Sequence, residues 1–443
     1  MNFEESLEYL LNLGNEVLAM KLGLESIGKL LAALGNPEKK YLKVQVAGTN
    51  GKGSTCAFLD AICVSASIKT GLFTSPHLIN ITERIKIGGA DISEKVFARH
   101  ATKIRQLAEK LVAEKSLESV PTFFEQVTAI AISVFDEAKI ELAILETGLG
   151  GRFDATTAAN AEIVAITPID FDHQDILGNT LAEIASEKAA IIRADTEVVL
   201  AKQSEQALAV ILAQCEKKNV SPIISDCQIF IEDLPEISFK TKRNSYPYIN
   251  LSLDGEHQRE NACVAINLAE VLSEEFKFQI LKEHIIKGLE SAQHNGRLEW
   301  WKNYKPAILF DGAHNIAGAE ALRKYLKKNY ADSKITFVFG SMSDKNIQET
   351  ARILFPLAEN LILTEPENPR SEKIEKLQEI AENFIDKTKI FSVKKVFDAI
   401  ASAQQITLTY SATKHSFICI TGSLYLIGEA QGVLKKQISS LKS

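Results

Sequence analysis

Three glycines surround one lysine where a short apolar segment gives way to a helical pattern. Residues 47–55 read AGTNGKGST, with Lys52 near the centre of the run. Glycines let several backbone N–H groups converge on one anion, and the positive end of the following helix dipole points at the same place. The lysine can then reach terminal phosphate oxygens, while a Ser54 or Thr55 hydroxyl holds Mg²⁺. The pattern predicts an ATP-binding loop, and the alternative is a tight turn that happens to contain a lysine.

The spacing of this loop differs from the common G-x-x-x-x-G-K-[ST] form, because Gly53 separates Lys52 from Ser54. We therefore expect a distinct variety of phosphate loop. The residues expected to contact the nucleotide are Thr49, Asn50, Gly51, Lys52, Gly53 and Ser54.

Two further side chains follow apolar strand patterns. Glu146 lies at the end of the apolar run in ELAILET, just before a glycine-rich turn, and His173 lies in DFDHQD. A carboxylate at the carboxyl edge of a parallel sheet, near a phosphate loop, is a natural Mg²⁺ ligand, either directly or through water. The alternatives are an exposed strand-end glutamate and a histidine with a structural role, which is the commoner use of a lone histidine.

Alternating strand and helix patterns must position these groups. Two amphipathic helices are predicted at 3–12 and 24–34. The strand candidates that follow are LKVQVA, TGLFT, ELAILET, EIVAITPI and TEVVLA, with helical patterns near 54–68, 93–115, 123–138 and 180–193. Strands that are apolar on both faces indicate a parallel sheet covered by helices on both sides.

The second half of the chain repeats this alternation after an interruption. Residues 226–253 favour shorter, more polar β segments, and 291–306 are polar and rich in turn residues. Strand candidates then restart with AILFDGAHN, ITFVFGSMSD, NLILTEP, KIFSV and SFICITGS. We predict a two-domain α/β protein, with a parallel-sheet domain at 1–295 and a smaller Rossmann-like domain at 296–443.

Composition limits the class of protein. Apolar residues make up 46% of the 443 positions and the formal net charge is −7, which argues against a nucleic-acid or anionic-membrane surface. No apolar run is long enough to cross a bilayer, and the acidic start lacks the basic residues of a signal peptide. The six cysteines are scattered and are expected to be free thiols in a reducing compartment. We expect a cytoplasmic monomer acting on small molecules.

Several motifs occur in one order along the chain: AGTNGKGST, TSPHLINITERIKI, ETGLGGRFDAT, DFDHQDILG, SEKAAI, RENA, NGRLE and DGAHN. Together they resemble the folylpolyglutamate synthase family, including its bifunctional dihydrofolate synthase form, within the Mur-ligase superfamily. The resemblance implies a P-loop domain of the Mur-ligase central type and a C-terminal glutamate-ligase domain. It also implies an ATP-dependent ligase that adds L-glutamate to dihydropteroate and to tetrahydrofolates through an acyl phosphate.

The same resemblance assigns the metal site. It implies that Ser75, Glu146 and His173 bind Mg²⁺, with a second Mg²⁺ and K⁺ as further candidates. It also implies that Lys188 of SEKAAI is carbamylated, which would turn an amine that cannot ligate Mg²⁺ into a carboxylate. The alternative is a solvated helix lysine paired with Glu187.

On the other side of the nucleotide, the resemblance assigns Asn261, Arg297 and Asp311 to ATP. An amide can read the edge of adenine, a guanidinium can pair with phosphate, and a carboxylate can hold ribose hydroxyls. His314 follows Asp311 and is expected to position glutamate or the γ-phosphate. ATP would thus lie between the two domains.

The pterin substrate is expected to meet the segment PTFFEQ and two shorter stretches. A flat heteroaromatic ring can stack on phenyl faces, and a carboxylate can accept from an aminopyrimidine edge. The alternative is that the two phenylalanines at 123 and 124 are core residues. The resemblance assigns the substrate pocket to Lys21, Leu22, Gly23, Thr122, Phe123, Phe124, Glu125, Phe153, Asp154 and Ala155.

Three other functions compete with a bifunctional ligase. One is a folylpolyglutamate synthase without dihydrofolate synthase activity, and another is a P-loop kinase for a small metabolite. The third is a nucleotide-gated binding protein derived from a ligase. The kinase alternative does not explain the second α/β domain. The binding-protein alternative does not explain why Lys52, Glu146, His173 and Lys188 are all present.

Overall fold

The computed structural model describes residues 1–14, 23–231, 236–410 and 415–440. Its α-helices are α1 (Phe3–Leu11), α2 (Glu25–Ala33), α3 (Lys52–Ser65), α4 (Glu94–Ala113), α5 (Phe123–Ala138), α6 (Gln174–Leu177), α7 (Leu181–Ala189), α8 (Glu205–Lys218), α9 (Glu256–Glu274), α10 (Lys282–Ser291), α11 (Ile316–Asn329), α12 (Ile347–Leu354), α13 (Ile374–Ala381), α14 (Val396–Leu408) and α15 (Leu424–Ser440). Its strands are β1 (Leu42–Ala47), β2 (Thr70–Phe73), β3 (Ile85–Ile87), β4 (Ala90–Asp91), β5 (Leu142–Glu146), β6 (Ile163–Ile166), β7 (Glu197–Leu200), β8 (Ile223–Ile224), β9 (Gln228–Ile231), β10 (Ile237–Lys240), β11 (Ser245–Ile249), β12 (Glu299–Trp301), β13 (Ile308–Asp311), β14 (Lys334–Phe339), β15 (Asn360–Leu363), β16 (Ile390–Ser392) and β17 (Ser416–Thr421).

The first domain is built on a sheet of order β4-β3-β2-β5-β1-β6-β7-β8. The six strands β2, β5, β1, β6, β7 and β8 run parallel to one another, and β3 and β4 are antiparallel at one edge. The central strands are rich in Val, Ile and Leu and are buried, because α3, α9 and α10 cover one face while α4 and α5 cover the other. In register, Val46 of β1 lies opposite Glu146 of β5. The carboxyl ends of both strands therefore open at the same edge.

A small antiparallel sheet of order β11-β10-β9 packs against α9. The second domain has a sheet of order β12-β13-β17-β14-β15-β16, parallel except for β12. This two-domain α/β arrangement confirms the predicted fold class. None of the helices in the described ranges combines the length and apolar character needed to span a membrane.

The structure differs from the predicted elements at two sheet edges. The hairpin of β3 and β4 turns at Gly88 and Gly89, which both have positive φ, a two-glycine hairpin signal that the sequence carried. The strand β12 occupies part of 291–306, a stretch for which the sequence predicts irregular structure. Its three residues pair antiparallel with β13 at the edge of the sheet, and a strand this short leaves no readable alternation.

The expectation of six free cysteines is wrong. Cys227 and Cys263 form a disulfide that joins the start of β9 to α9, while Cys56, Cys63, Cys215 and Cys419 are buried thiols. The paired residues are 36 positions apart, and only the packing of the small sheet on α9 brings them together.

Candidate active site

A cavity of about 430 Å³ lies between the two domains, at the carboxyl ends of the parallel strands. Both domains contribute side chains to its wall. The predicted residues that line it are Gly23, Thr49, Asn50, Gly51, Lys52, Gly53, Ser54, Ser75, Thr122, Phe124, Glu125, Glu146, Phe153, Asp154, Ala155, His173, Lys188, Asn261, Arg297, Asp311 and His314. Lys21 and Leu22 lie outside the described residues.

The glycine loop runs from the end of β1 to the first turn of α3. The N–H groups of Thr49 and Asn50 donate to the carbonyl of Pro168, at 3.0 and 3.2 Å. The donors left for an anion are those of the first turn of α3, since the first amides of a helix have no partner within it. Lys52 Nζ donates to the carbonyls of Gly48 and Thr49, at 3.2 Å each. The lysine therefore points along the loop, over the helix start.

Position 51 requires a glycine, both because of its backbone conformation and because Asn261 packs against it. Its φ is +87°, and a Cβ at this position would lie 2.2 Å from Asn261 Oδ1. Asn261 is 3% exposed and donates through Nδ2 to Gln258. The loop and the start of α9 therefore touch directly, which places the predicted adenine-reading amide beside the phosphate loop.

Lys188 is buried behind the same loop. Its Nζ donates to the Gly48 carbonyl at 2.9 Å, and the residue is 4% exposed. Burial, helped by the nearby charge of Lys52, lowers the pKa of Lys188 to about 7. The alternative of a solvated helix lysine paired with Glu187 does not fit this burial, and Glu187 pairs instead with Arg152.

Glu146 and Ser75 lie together, with the Ser75 N–H donating to Glu146 Oε2 at 3.0 Å. Burial raises the pKa of Glu146, and Lys52 and the Ser75 amide oppose that rise. A buried carboxylate beside a hydroxyl residue suits Mg²⁺, which prefers oxygen ligands. No three His, Cys, Asp or Glu side chains within the described residues form a metal cage on their own.

His173, the third predicted metal ligand, contacts the other domain. Its Nε2 lies 3.2 Å from Lys345 Nζ, and burial lowers the pKa of His173 to about 4. To bind a metal ion through Nε2, the histidine would have to exchange this contact with Lys345. Of the three predicted ligands, two are brought together and the third faces a cation.

Asp172 forms a polar cluster across the domain interface that the sequence did not reveal. It accepts from Lys345 Nζ at 2.7 Å, and it lies 3.7 Å from His314 Nε2 and 3.5 Å from Asn315 Nδ2. Burial alone would raise the pKa of Asp172, but His314, Lys345 and His173 hold it well below its usual range. Asn315 also donates to Asn50 Oδ1 at 3.0 Å. The phosphate loop is thus bonded to the second domain.

Arg297 and Asp311, which are predicted to bind ATP, line the cavity at the start of the second domain. Arg297 Nη1 donates to the Gly312 carbonyl at 3.3 Å, and Asp311 accepts from the N–H groups of Leu298 and Ala313. Burial raises the pKa of Asp311, and Arg297 counteracts it. His294, another residue missed from the sequence, lies with its ring against Gly53. Burial lowers the pKa of His294 to about 3, so this imidazole is neutral.

Within the predicted pterin segment, some side chains line the cavity and others pack behind it. Phe124 lines the cavity and packs 5.9 Å from the Phe73 ring, centroid to centroid. Phe123 points into the core instead, beneath the Arg84 guanidinium. Glu125 Oε2 accepts from Thr122 N–H and hydroxyl as the helix cap. Its Oε1 is buried without a hydrogen-bond partner among the described residues, so it is the oxygen left for a ligand.

Asp154 holds the loop rather than facing a ligand. Its carboxylate accepts from the N–H groups of Gly148, Leu149 and Thr156 and from the Thr156 hydroxyl. Both oxygens are therefore occupied, and this position shapes the pocket through the backbone. Phe153 beside it is 38% exposed and borders the cavity.

Comparison with known proteins identifies the family. Residues 46–269 match the Mur ligase middle domain and residues 295–434 match the dihydrofolate synthetase C-terminal domain. The chain is 37% identical over 430 residues to the dihydrofolate synthase/folylpolyglutamate synthase of Bacillus subtilis, covering 95% of this chain and 97% of that one.

Solved structures agree. The Mycobacterium tuberculosis folylpolyglutamate synthase complexed with ADP is 29% identical, with a TM-score of 0.91 over 97% of this chain and 98% of that one. Escherichia coli FolC in complex with DHPP and ADP is 26% identical, with a TM-score of 0.85 over 99% of each chain. The chain therefore belongs to the dihydrofolate synthase/folylpolyglutamate synthase family of Mur-type ligases.

Proposed function

We propose that this protein uses ATP to join L-glutamate to the carboxylate of dihydropteroate and of tetrahydrofolates. The observation that carries the proposal is one cavity that contains the phosphate loop, the Phe124 wall and cationic side chains of the second domain. A carboxylate does not acylate an amine at neutral pH, because oxide is too poor a leaving group. Transfer of the γ-phosphoryl group gives an acyl phosphate, which the glutamate amine attacks, releasing phosphate.

The side chains of the cavity divide this chemistry. Lys52 and the first-turn amides of α3 neutralise charge on the transferred phosphoryl group. Ser75 and Glu146 would hold Mg²⁺, with His173 joining them if it leaves Lys345, and this ion would supply further positive charge beside the phosphates. Asn261, Arg297 and Asp311 are assigned to ATP. Holding the nucleotide and both other substrates in one cavity makes the reaction effectively unimolecular.

We propose that Lys188 carries a carbamate. The neutral amine attacks CO₂, forms a C–N bond and loses one proton. The side chain then ends in a carboxylate that carries one negative charge. The lowered pKa of Lys188 supports this, since at neutral pH much of the amine is unprotonated. Lys52 lies close enough to influence that pKa, so the new anion would organise the lysine of the phosphate loop. His314 is proposed to position glutamate or the γ-phosphate.

We assign the incoming glutamate to Arg370 and Lys345. Both line the cavity from the second domain, and the Arg370 Nε is buried with no hydrogen-bond partner in the described ranges. Arg370 is held by Asp344 and by the Tyr425 hydroxyl, at 3.3 and 3.1 Å. A planar guanidinium with a donor to spare suits a carboxylate. L-Glutamate brings two carboxylates, which two cations match.

The Arg370→Met variant tests this assignment. A hydrogen bond to a charged group contributes about 1.5–3 kcal/mol, so the KM for glutamate is expected to rise about 10- to 100-fold, with little change in the KM for ATP. Initial rates of ADP release across a glutamate series give both constants. Arg352→Met, an exposed arginine on α12, is the matched control. An unchanged glutamate KM would remove Arg370 from the site.

An activity assay decides whether the protein has dihydrofolate synthase activity in addition to folylpolyglutamate synthase activity. We expect purified protein to release ADP in a glutamate-dependent manner with dihydropteroate and also with tetrahydrofolate. Release with tetrahydrofolate alone would leave only the folylpolyglutamate synthase. ADP release with a folate that does not depend on glutamate would favour the P-loop kinase, and no turnover at all would favour the binding protein.

Phe124→Ala should separate the two substrates. Removing the phenyl wall is expected to lower kcat/KM for dihydropteroate more than for tetrahydrofolate, because the smaller substrate has fewer other contacts to position its carboxylate. Loss of one stacking contact of about 0.5–1.5 kcal/mol corresponds to a fall of about 2- to 13-fold. Phe230→Ala, exposed on the small sheet, is the control. Equal losses for both substrates would contradict this assignment of Phe124.

We further propose a domain boundary at 295/296 and action as a monomer in the cytoplasm. The boundary is supported by packing: α10 lies on the core of the first domain, whereas β12 pairs with β13 of the second. A second Mg²⁺ and K⁺ remain candidates for the phosphate side of the cavity.

A further inference from the structure

The segment between β2 and β3 forms a closed loop that reaches out of the first domain. At its base, Thr74 N–H donates to the Arg84 carbonyl at 3.0 Å. Inside it, the Glu83 carboxylate accepts from the N–H groups of Leu78, Ile79 and Asn80, at 2.8, 3.1 and 2.9 Å. Three backbone donors on one carboxylate hold the tip in a fixed shape. We call residues 74–84 the tip loop.

The tip of this loop is packed into the second domain. The Leu78 side chain joins the apolar cluster that contains Phe310 of β13 and Ile427 of α15. It also lies against the turn before Arg297, where a Cβ on Gly296 would be 3.2 Å from Leu78 Cδ1. Leu78 itself does not line the cavity.

The backbone contact on α15 is closer still. A Cβ on Gly428 would lie 1.8 Å from the Leu78 carbonyl oxygen and 2.6 Å from its carbon. Those atoms belong to the main chain, and Glu83 fixes the turn that contains them. The loop can reach this position only because residue 428 has no side chain.

The first part of the tip loop lies at the cavity. Ser75 follows its first residue, and its N–H is bonded to Glu146. One rigid segment therefore connects the Ser75–Glu146 pair of the first domain to the Arg297 turn and α15 of the second. The glutamate-holding Arg370 contacts Tyr425 of that same helix.

From this connection we infer that Leu78 is a positioning residue, which fixes the second domain against the first so that the glutamate amine meets the acyl phosphate. This inference rests on the proposed function for its catalytic consequence. The residues assigned to the folate pocket all lie in the first domain and Leu78 does not line the cavity, so we expect its loss to change the folate KM little. Misplacement of the reacting groups by about 1 Å can lower a rate about 100-fold.

Full-length Leu78→Ala, Leu78→Met, Gly428→Ala and Ile79→Ala proteins test the inference. Ile79 is the matched control, because it sits in the same turn with a side chain 40% exposed. We expect kcat to fall about 10- to 100-fold in Leu78→Ala and Gly428→Ala, with the folate KM within about threefold of the parent value. Leu78→Met, similar in volume, should restore most of the rate.

Hydrogen exchange supplies a measurement that does not require activity. In Gly428→Ala, amides of the tip loop should exchange faster, while those in Ile79→Ala should match the parent protein. If the parent protein shows no ligase turnover, the proposed function fails, and exchange still decides whether Leu78 joins the domains. Equal kcat in Leu78→Ala and Ile79→Ala, or no rescue by methionine, would overturn the positioning role.

Discussion

Lys52→Ala is expected to lower ligase turnover by at least about 10²–10³-fold, the cost of removing one group that stabilises developing charge in a phosphoryl-transfer transition state. Among the described residues, the Nζ of Lys52 donates hydrogen bonds only to the carbonyls of Gly48 and Thr49. Its loss should therefore leave the fold intact. Glutamate-dependent ADP release, measured beside a thermal unfolding curve, tests both expectations.

The control for this variant is Lys217→Ala, an exposed lysine on α8. It removes the same charge far from the cavity. Full turnover in a correctly folded Lys52→Ala protein would show that the loop does not act on the transferred phosphate. A large fall in the unfolding temperature would show that the lysine supports the loop structurally.

Lys188→Ala is expected to remove nearly all activity, since it deletes both the buried amine and the carbamate that it would form. A short carboxylate such as acetate should restore part of the rate by occupying the same space with the same charge. In the parent protein, CO₂ uptake should increase as the pH rises through about 7, because the neutral amine is the reactant. Isotopically labelled CO₂, followed by NMR, detects the carbamate without relying on turnover.

The matched control is Lys202→Ala, an exposed lysine after β7. Electron density beyond Nζ of Lys188 in a crystal would support the modification. A bare ammonium in fully active protein, or no rescue of Lys188→Ala by any carboxylate together with no labelled carbamate, would refute it. The amine would then act only through its bond to the Gly48 carbonyl.

Local patterns predicted the parts of the site that lie on single elements. The phosphate loop and Glu146 could be found because glycines, lysine and a strand-end carboxylate stand next to readable strands. Asp172 and Lys345 could not, because they are 173 residues apart and meet only when the domains pack. The roles of Phe123 and Phe124 also needed the structure, since neighbouring positions at a helix start point in different directions.

The hydrogen bonds from the Thr49 and Asn50 N–H groups to the Pro168 carbonyl affect how the nucleotide binds. A loop whose backbone is already bonded to the turn after β6 has little conformational entropy left to lose. Nucleotide association should then need no ordering of the main chain, and the main rearrangement is the release of Lys52 from two carbonyls. Preorganisation of this kind increases the affinity for the nucleotide, because less entropy is lost on binding.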